Sequence, residues 1–223
     1  MATLTIQTTS TLTADTYLNH NNDHDNYGTE AHLNVGDNSG DQKRSILKFD
    51  FSALPIGAVI SAVELDLYYY DAANADPVGR TYWAYRLTQR NWTETGASYN
   101  HYTGSSSWVT EGGDYTTTDG ASHAVPAAAG WIDWDVLTQV QFAQASTGKV
   151  AHFLIRDGSE TNIAIAKFYS SEYVTDTTKC PKLIITYTVV GWNHLKNGLA
   201  VTSNSKVNGV DTATGMTSVD GVV

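Results

Sequence analysis

Apolar and polar residues alternate along several stretches of the chain. The clearest case is residues 59–70, where the apolar positions on one face are Val63, Leu65, Leu67 and Tyr69. Successive side chains of a strand point to opposite faces, so a period of two over this length is typical of a half-buried β-strand. An amphipathic helix would repeat every three to four residues and is excluded here.

Similar alternation predicts strands at residues 45–51, 59–70, 81–87, 150–156, 163–169 and 182–189. Turn sequences such as Asp157-Gly158 lie between them. One short helix is expected to start with Asp135 as its N-cap and to end near Gly148. Together these elements predict an all-β protein, a two-sheet antiparallel jelly-roll sandwich with one short helix.

Residues 91–130 do not alternate and are rich in Gly, Ser and Thr. We expect long loops here, held down by aromatic side chains, since long loops without secondary structure are usually functional or bound to a partner. Four tryptophans are expected to fill the sandwich and to fasten these loops: Trp92, Trp108, Trp131 and Trp134.

The chain changes character after Val190. Asn-Gly or Asp-Gly lies between apolar residues at 196–199, 207–210 and 219–222, a pattern that favours tight hairpin turns. We therefore divide the chain into a sandwich domain, residues 1–190, and a β-meander tail, residues 191–223, that is too small to be stable alone. The candidate assembly residues are Trp192, Leu195, Leu199, Val201, Val207, Val210 and Val219.

Charge narrows the range of partners. The chain has 13 Lys and Arg against 23 Asp and Glu, a formal net charge of −10. Nucleic acids and anionic lipid surfaces would be repelled, so neither nucleic acid nor a membrane is an expected partner. The first residues show no basic and apolar leader, so we expect no export signal. A single cysteine, Cys180, excludes an internal disulfide and is expected to be buried.

Exposed aromatic residues suggest carbohydrate binding, because a sugar ring packs its apolar face against Tyr or Trp while neighbouring polar groups hold its hydroxyls. A row of exposed aromatic residues is equally typical of a protein contact. The candidate glycan-binding residues are Tyr68, Tyr70, Tyr82, Trp83, Tyr85, Tyr99 and Tyr102.

Oxygen-bearing side chains are densest around residues 20–26. Calcium takes six to eight oxygen ligands, which sandwich loops can supply, so calcium is the one cofactor we consider. The alternative is a solvated loop whose Asp and Asn side chains bond their own backbone. The candidate ligands are Asp15, Asp23, Asp25, Asn26, Asp37 and Asp41.

Catalysis finds no support in the sequence. There is no Gly-x-Ser-x-Gly, no His-Glu-x-x-His and no phosphate-binding glycine loop. Several carboxylates could form a glycosidase pair, but no motif assigns one as acid and another as base. We therefore expect a binding or structural protein and not an enzyme.

Several segments carry a family resemblance: ADTYL (14–18), NYG (26–28), LNVG (33–36), RSILKFDFSALPIGAVISAVELDLYYYD (44–71), NWTETGASYNHYTGSSSWVTEGGDY (91–115), WDVLTQVQFA (134–143), FYSSEY (168–173) and PKLIITY (181–187). In order and spacing they resemble the DNRLRE-type domain. This jelly-roll family is related to carbohydrate-binding modules and occurs on microbial surface proteins and in some virus particle proteins. The resemblance implies a two-sheet sandwich, no catalytic residues and, in some members, glycan binding.

The tail lies outside this domain, and its Asn-Gly repeats resemble C-terminal segments of phage virion proteins. Our first hypothesis is therefore a virion surface protein, a capsid decoration or fibre-like component that contacts other virion subunits, forms homo-oligomers and meets host glycans. The alternative is a carbohydrate-binding module that attaches to cell-surface or algal polysaccharide.

Overall fold

The computed structural model describes residues 1–7, 13–146, 148–161 and 163–189, together with the backbone of four two-residue strands between residues 195 and 211. The main strands are β1 (Ala2–Gln7), β2 (Thr13–Asn19), β3 (His32–Asn38), β4 (Asp41–Asp50), β5 (Ala58–Ala73), β6 (Thr81–Leu87), β7 (Tyr115–Ala124), β8 (Gly130–Asp135), β9 (Val150–Asp157), β10 (Ala164–Tyr169) and β11 (Lys182–Val189). One α-helix, α1 (Leu137–Ala145), lies between β8 and β9, and short 3-10 turns occupy His20–Asn22 and Thr177–Lys179.

These strands form one curled antiparallel sheet. Its order is β1-β11-β5-β10-β3-β4-β9-β6-β7, with β2 paired to β4 and β8 paired to β5. The two halves of the sheet face each other across the interior. The buried Tyr82 on β6 packs against Phe168 on β10 and donates a hydrogen bond to the carbonyl of Val35 on β3. The predicted all-β sandwich of the jelly-roll type is confirmed.

One apolar core fills the space between the halves. The inward residues of β5 are buried as the alternation predicted, and the six predicted strands all form. The largest fully buried side chains of this core are Trp134, Tyr82, Phe49, Phe51, Phe153 and Phe168. Burial of this many large apolar side chains is the main source of stability for the sandwich.

A second, smaller core lies on the outer face of β4 and β9. The segment 88–114 covers this face and contributes Trp92 and Trp108, which pack with Ile46 and Leu154. The expected role of these two tryptophans as loop fasteners is confirmed, and Trp134 is buried as expected. Trp131 is different, because it is half-buried on the outer surface of β8, so its expected place in the interior is wrong.

Two predicted details shift. Residues 91–130 were expected to be loops, but they contain β7, whose side chains are mostly exposed or half-exposed. The helix starts one residue later than expected, with Val136 at the N-cap position. Asp135 still contributes, since its carboxylate accepts a hydrogen bond from the backbone N–H of Leu137 at 3.1 Å.

Short strands pair on either side of two of the three predicted tail turns. Leu195–Lys196 pairs with Leu199–Ala200, and Lys206–Val207 pairs with Val210–Asp211, so both Asn-Gly sequences are flanked by paired strands. The third predicted turn, at 219–222, lies outside the described residues, as do Trp192, Val201 and Val219. Within the described part of the chain, no helix is both long enough and apolar enough to span a membrane.

Candidate functional site

Five partly exposed aromatic residues meet on the outer face of β5, β8 and β10. We call Tyr68, Tyr70, Trp131, Tyr169 and Tyr173 the tyrosine ridge. The alternation of β5 turns Tyr68 and Tyr70 outward, and the strand pairings place Trp131 opposite Tyr68 and Tyr169 beside both tyrosines. Tyr173 comes from the loop that follows β10. All five side chains are half-buried.

Tyr169 is the centre of this group. Its ring centroid lies 4.3 Å from that of Tyr70, 5.9 Å from that of Tyr68 and 3.7 Å from that of Tyr173, in stacked arrangements. Tyr68 meets Trp131 edge to face, with ring centroids 5.3 Å apart. These are favourable aromatic geometries, and they fix the rings of the ridge relative to one another.

Charged side chains surround the ridge in pairs. The distances between ammonium nitrogen and carboxylate oxygen are 3.3 Å for Lys182–Asp66, 3.4 Å for Lys179–Asp176 and 3.9 Å for Lys167–Asp71. Lys182 also lies 3.9 Å from the ring centroid of Trp131, and Lys179 lies 5.2 Å from that of Tyr68. The edge of the ridge therefore offers hydrogen-bond donors and acceptors side by side, as hydroxyl groups require.

The phenol groups of Tyr169 and Tyr70 stay neutral at physiological pH. The hydrogen bond with Tyr173 raises the pKa of Tyr169 to about 12, and burial raises the pKa of Tyr70. A neutral phenol both donates and accepts a hydrogen bond.

The loop that carries Tyr173 is tied to the sandwich. The carboxylate of Asp15 accepts a hydrogen bond from the backbone N–H of Ser171 at 3.0 Å, and the hydroxyl of Ser170 donates to the carbonyl of Glu30 at 2.6 Å. Asp15 is fully buried, and its pKa is raised by burial and then by the nearby charge of Glu172. These contacts position Tyr173 against Tyr169.

The model of carbohydrate-binding module family 96 matches residues 6–187. The chain belongs to carbohydrate-binding module family 96. A search of curated proteins finds no match.

The family 96 match begins in β1 and ends in β11, so it includes the sandwich and every residue of the tyrosine ridge. The expected kinship to carbohydrate-binding modules is confirmed. Carbohydrate-binding modules are non-catalytic binding units, which agrees with the expectation of a binding protein. The tail after Val190 lies outside the match.

The other predicted glycan residues of this family 96 module are divided between different environments. Tyr82 is completely buried and Tyr99 is 5% exposed, so their predicted place on the surface is wrong. Successive side chains of a strand point to opposite faces, so Tyr82 points inward and its neighbour Trp83 points outward on the same strand. Tyr102 is half-buried and packs against Trp108.

Trp83 and Tyr85 lie on the outer face of β6, where they stack in a row with Tyr115 of β7. The structure therefore separates the predicted platform into two aromatic surfaces. Sequence reasoning missed Trp131, Tyr169, Tyr173 and Tyr115. The outward position of Tyr169 after the inward Phe168 was a usable signal, but its neighbours were set by strand pairing.

The structure does not bring the predicted calcium ligands together. Asp41 pairs with Lys43 at 2.7 Å, and Asp23 contacts His24 at 2.6 Å. The amide of Asn26 donates to the backbone carbonyls of Glu94 and Ala97 instead of presenting oxygen to a cation.

The remaining three predicted ligands are separated as well. Asp15 holds the Ser171 loop, and Asp37 accepts a hydrogen bond from the N–H of Gly40 in the turn between β3 and β4. Asp25 lies in the turn that follows the 3-10 segment His20–Asn22, where its N–H donates to the carbonyl of Asn22. Among the described residues, no group of three or more His, Cys, Asp and Glu side chains could hold a metal ion, so the expected grouping is wrong.

Proposed function

We propose that this protein binds polysaccharide through the tyrosine ridge. The observation that carries the proposal is the convergence of five half-exposed aromatic rings from three strands and one loop onto a single face. Aromatic surface of this extent is costly to leave in water without a function. Membership of carbohydrate-binding module family 96 supports the same function.

The chemistry of the ridge suits a sugar. The C–H face of a pyranose packs on an aromatic ring, and the ring contacts within the ridge hold Tyr169, Tyr70 and Tyr68 in place before any ligand arrives. The lysine and aspartate pairs at the edge can then exchange hydrogen bonds with sugar hydroxyls. Because each lysine has an aspartate partner, the ridge is not a simple anion-binding patch.

Tyr169→Ala tests this proposal, because Tyr169 contacts three other rings of the ridge. The wild-type protein is first examined by affinity electrophoresis against neutral glucans, mannans and xylans and against acidic polyuronates. For a polysaccharide that is retained, we expect Tyr169→Ala to weaken binding by about tenfold or more, equivalent to about 1.4 kcal/mol.

Phe142→Ala is the matched control. Phe142 is an exposed aromatic residue on α1 and is not part of either aromatic surface. The Phe142→Ala substitution should leave the retention of the protein by the polysaccharide unchanged. Retention of Tyr169→Ala equal to that of the wild type, with both variants folded by circular dichroism, would contradict the ridge as the binding site.

We also propose that residues 191–223 anchor the module in a homo-oligomeric assembly on a virus particle surface. The two strand pairs that flank the predicted Asn-Gly turns support this role, since short strands can add to the sheet edge of another subunit. Deletion of the residues after Val190 should leave a folded, monomeric sandwich, whereas the full chain should sediment as an oligomer. A truncated chain that sediments as the full chain does would rule out the tail as the anchor.

A further inference from the structure

A second aromatic surface lies on the outer face of β6 and β7. We call Trp83, Tyr85 and Tyr115 the tryptophan strip. The ring centroids of Trp83 and Tyr85 are 5.6 Å apart with an interplanar angle of 6°, and those of Tyr85 and Tyr115 are 5.1 Å apart at 21°. All three side chains are half-buried. The strip is therefore a row of three nearly parallel rings along two paired strands.

Two glycines leave space for the rings of Tyr85 and Trp83 to lie close to the backbone. A Cβ atom at Gly120 would lie 2.3 Å from Cε1 of Tyr85, and one at Gly158 would lie 3.0 Å from Nε1 of Trp83. Any side chain at Gly120 would displace the Tyr85 ring. This close packing restricts the rings of Tyr85 and Trp83 before a ligand binds, which lowers the entropy cost of binding.

Polar groups lie beside the strip. The guanidinium of Arg156 donates a hydrogen bond to the hydroxyl of Tyr115 and pairs with Glu160 at 2.6 Å. Arg156 also lies 5.8 Å from the ring centroid of Tyr115. As at the tyrosine ridge, charged donors and acceptors adjoin aromatic rings.

The strip continues into an open groove of about 770 Å³ that begins at Tyr115. Hydroxyl groups of Thr88, Thr110, Thr116 and Thr117 line it. Its wall is shaped by Asp114, whose two carboxylate oxygens accept hydrogen bonds from the N–H groups of Val109 and Thr110 at 3.0 and 2.7 Å. Aromatic rings that lead into a hydroxyl-lined groove suit an extended, hydroxyl-rich chain.

We propose that the tryptophan strip and its groove form a second carbohydrate-binding surface, so that one protein molecule holds two polysaccharide segments. This inference rests on the proposed function of the tyrosine ridge. The ridge lies on β5, β8 and β10 and the strip lies on β6 and β7, so the two surfaces share no strand. Two sites on one rigid body allow cross-linking of polysaccharide chains and stronger binding to a surface that presents many chains.

The number of oligosaccharide molecules bound per protein chain tests this proposal. A hexasaccharide is prepared from a polysaccharide that the wild type retains, and its stoichiometry is measured by titration calorimetry. We expect two hexasaccharides per wild-type chain and one for Trp83→Ala/Tyr85→Ala. Tyr169→Ala should keep one site of wild-type affinity, at the intact strip, and bind a second hexasaccharide at least about tenfold more weakly, whereas the control Phe142→Ala should bind two as the wild type does. The single change Tyr85→Ala gives the same comparison with a smaller change in packing.

Cross-linking provides a second readout. The wild type should make a solution of the long polysaccharide turbid, and either surface variant should not. One hexasaccharide per wild-type chain, or a strip variant that still binds two, would overturn the second surface while leaving the proposed function intact. A strip that instead joins two protein chains, seen as a dimer lost in the strip variant without sugar, would overturn it as well. A wild type that retains none of the polysaccharides overturns the proposed function, and the second surface with it.

Discussion

His152 lies beneath the segment that covers the outer face of β4 and β9. It is 8% exposed, and its Nδ1 atom accepts a hydrogen bond from the indole N–H of Trp92 at 3.0 Å. An acceptor at Nδ1 requires a neutral imidazole. Burial, then the charges of Lys48 and Arg90, lower the pKa of His152 to about 4.

This pKa predicts how stability changes with pH. Between pH 6.5 and about pH 4 the unfolded chain binds a proton at His152 that the folded chain does not. The neutral His152 side chain therefore contributes fully to the free energy of unfolding above pH 6.5. This contribution is lost as the pH falls through this range, and the loss reaches about 3 kcal/mol.

Urea unfolding at pH 7 and at pH 4.5 measures the effect. His152→Gln keeps an acceptor for Trp92 but cannot titrate, so its unfolding free energy should fall less between the two pH values than that of the wild type. Equal losses in the two proteins would show that His152 is not the group responsible.

At the scale of single elements, alternation located β4, β5, β6, β9, β10 and β11 but did not identify β1, β2, β3, β7 or β8. It failed for β7, whose sequence YTTTDGASHA has no apolar face to bury because it lies at the end of the strand order. Alternation with a period of two also does not predict whether another segment of the chain covers the outer face of a strand. Ile46 lies on the outer face of β4 and is nevertheless buried, because the segment 88–114 folds over it.

The tyrosine ridge shows why a site is harder to predict than a strand. Alternation correctly turned Tyr68 and Tyr70 outward, and these residues could be named from the sequence alone. Their partners come from 61 to 105 positions further along the chain, brought in by the pairing of β5 with β8 and β10. That register includes a shift between Lys167 and Phe168, which residue pattern alone does not specify.

At the scale of the whole molecule, one rigid core supports two aromatic surfaces. The net charge of −10 favours solubility and disfavours polyanionic partners at long range. The proposed binding at the surfaces would depend instead on short-range contacts, because the lysines around the tyrosine ridge are each paired with an aspartate. In the proposed function the sandwich acts as a scaffold, and the outer aromatic rings bind the polysaccharide.

The central claim is that polysaccharide binds on the tyrosine ridge, and aromatic NMR shifts during titration with a retained oligosaccharide test it most directly. We predict that the signals of Tyr68, Tyr70, Trp131, Tyr169 and Tyr173 shift with ligand, while those of the buried Trp92 and Trp134 stay unchanged. Saturable binding with no shift at any of the five ridge residues would contradict the account.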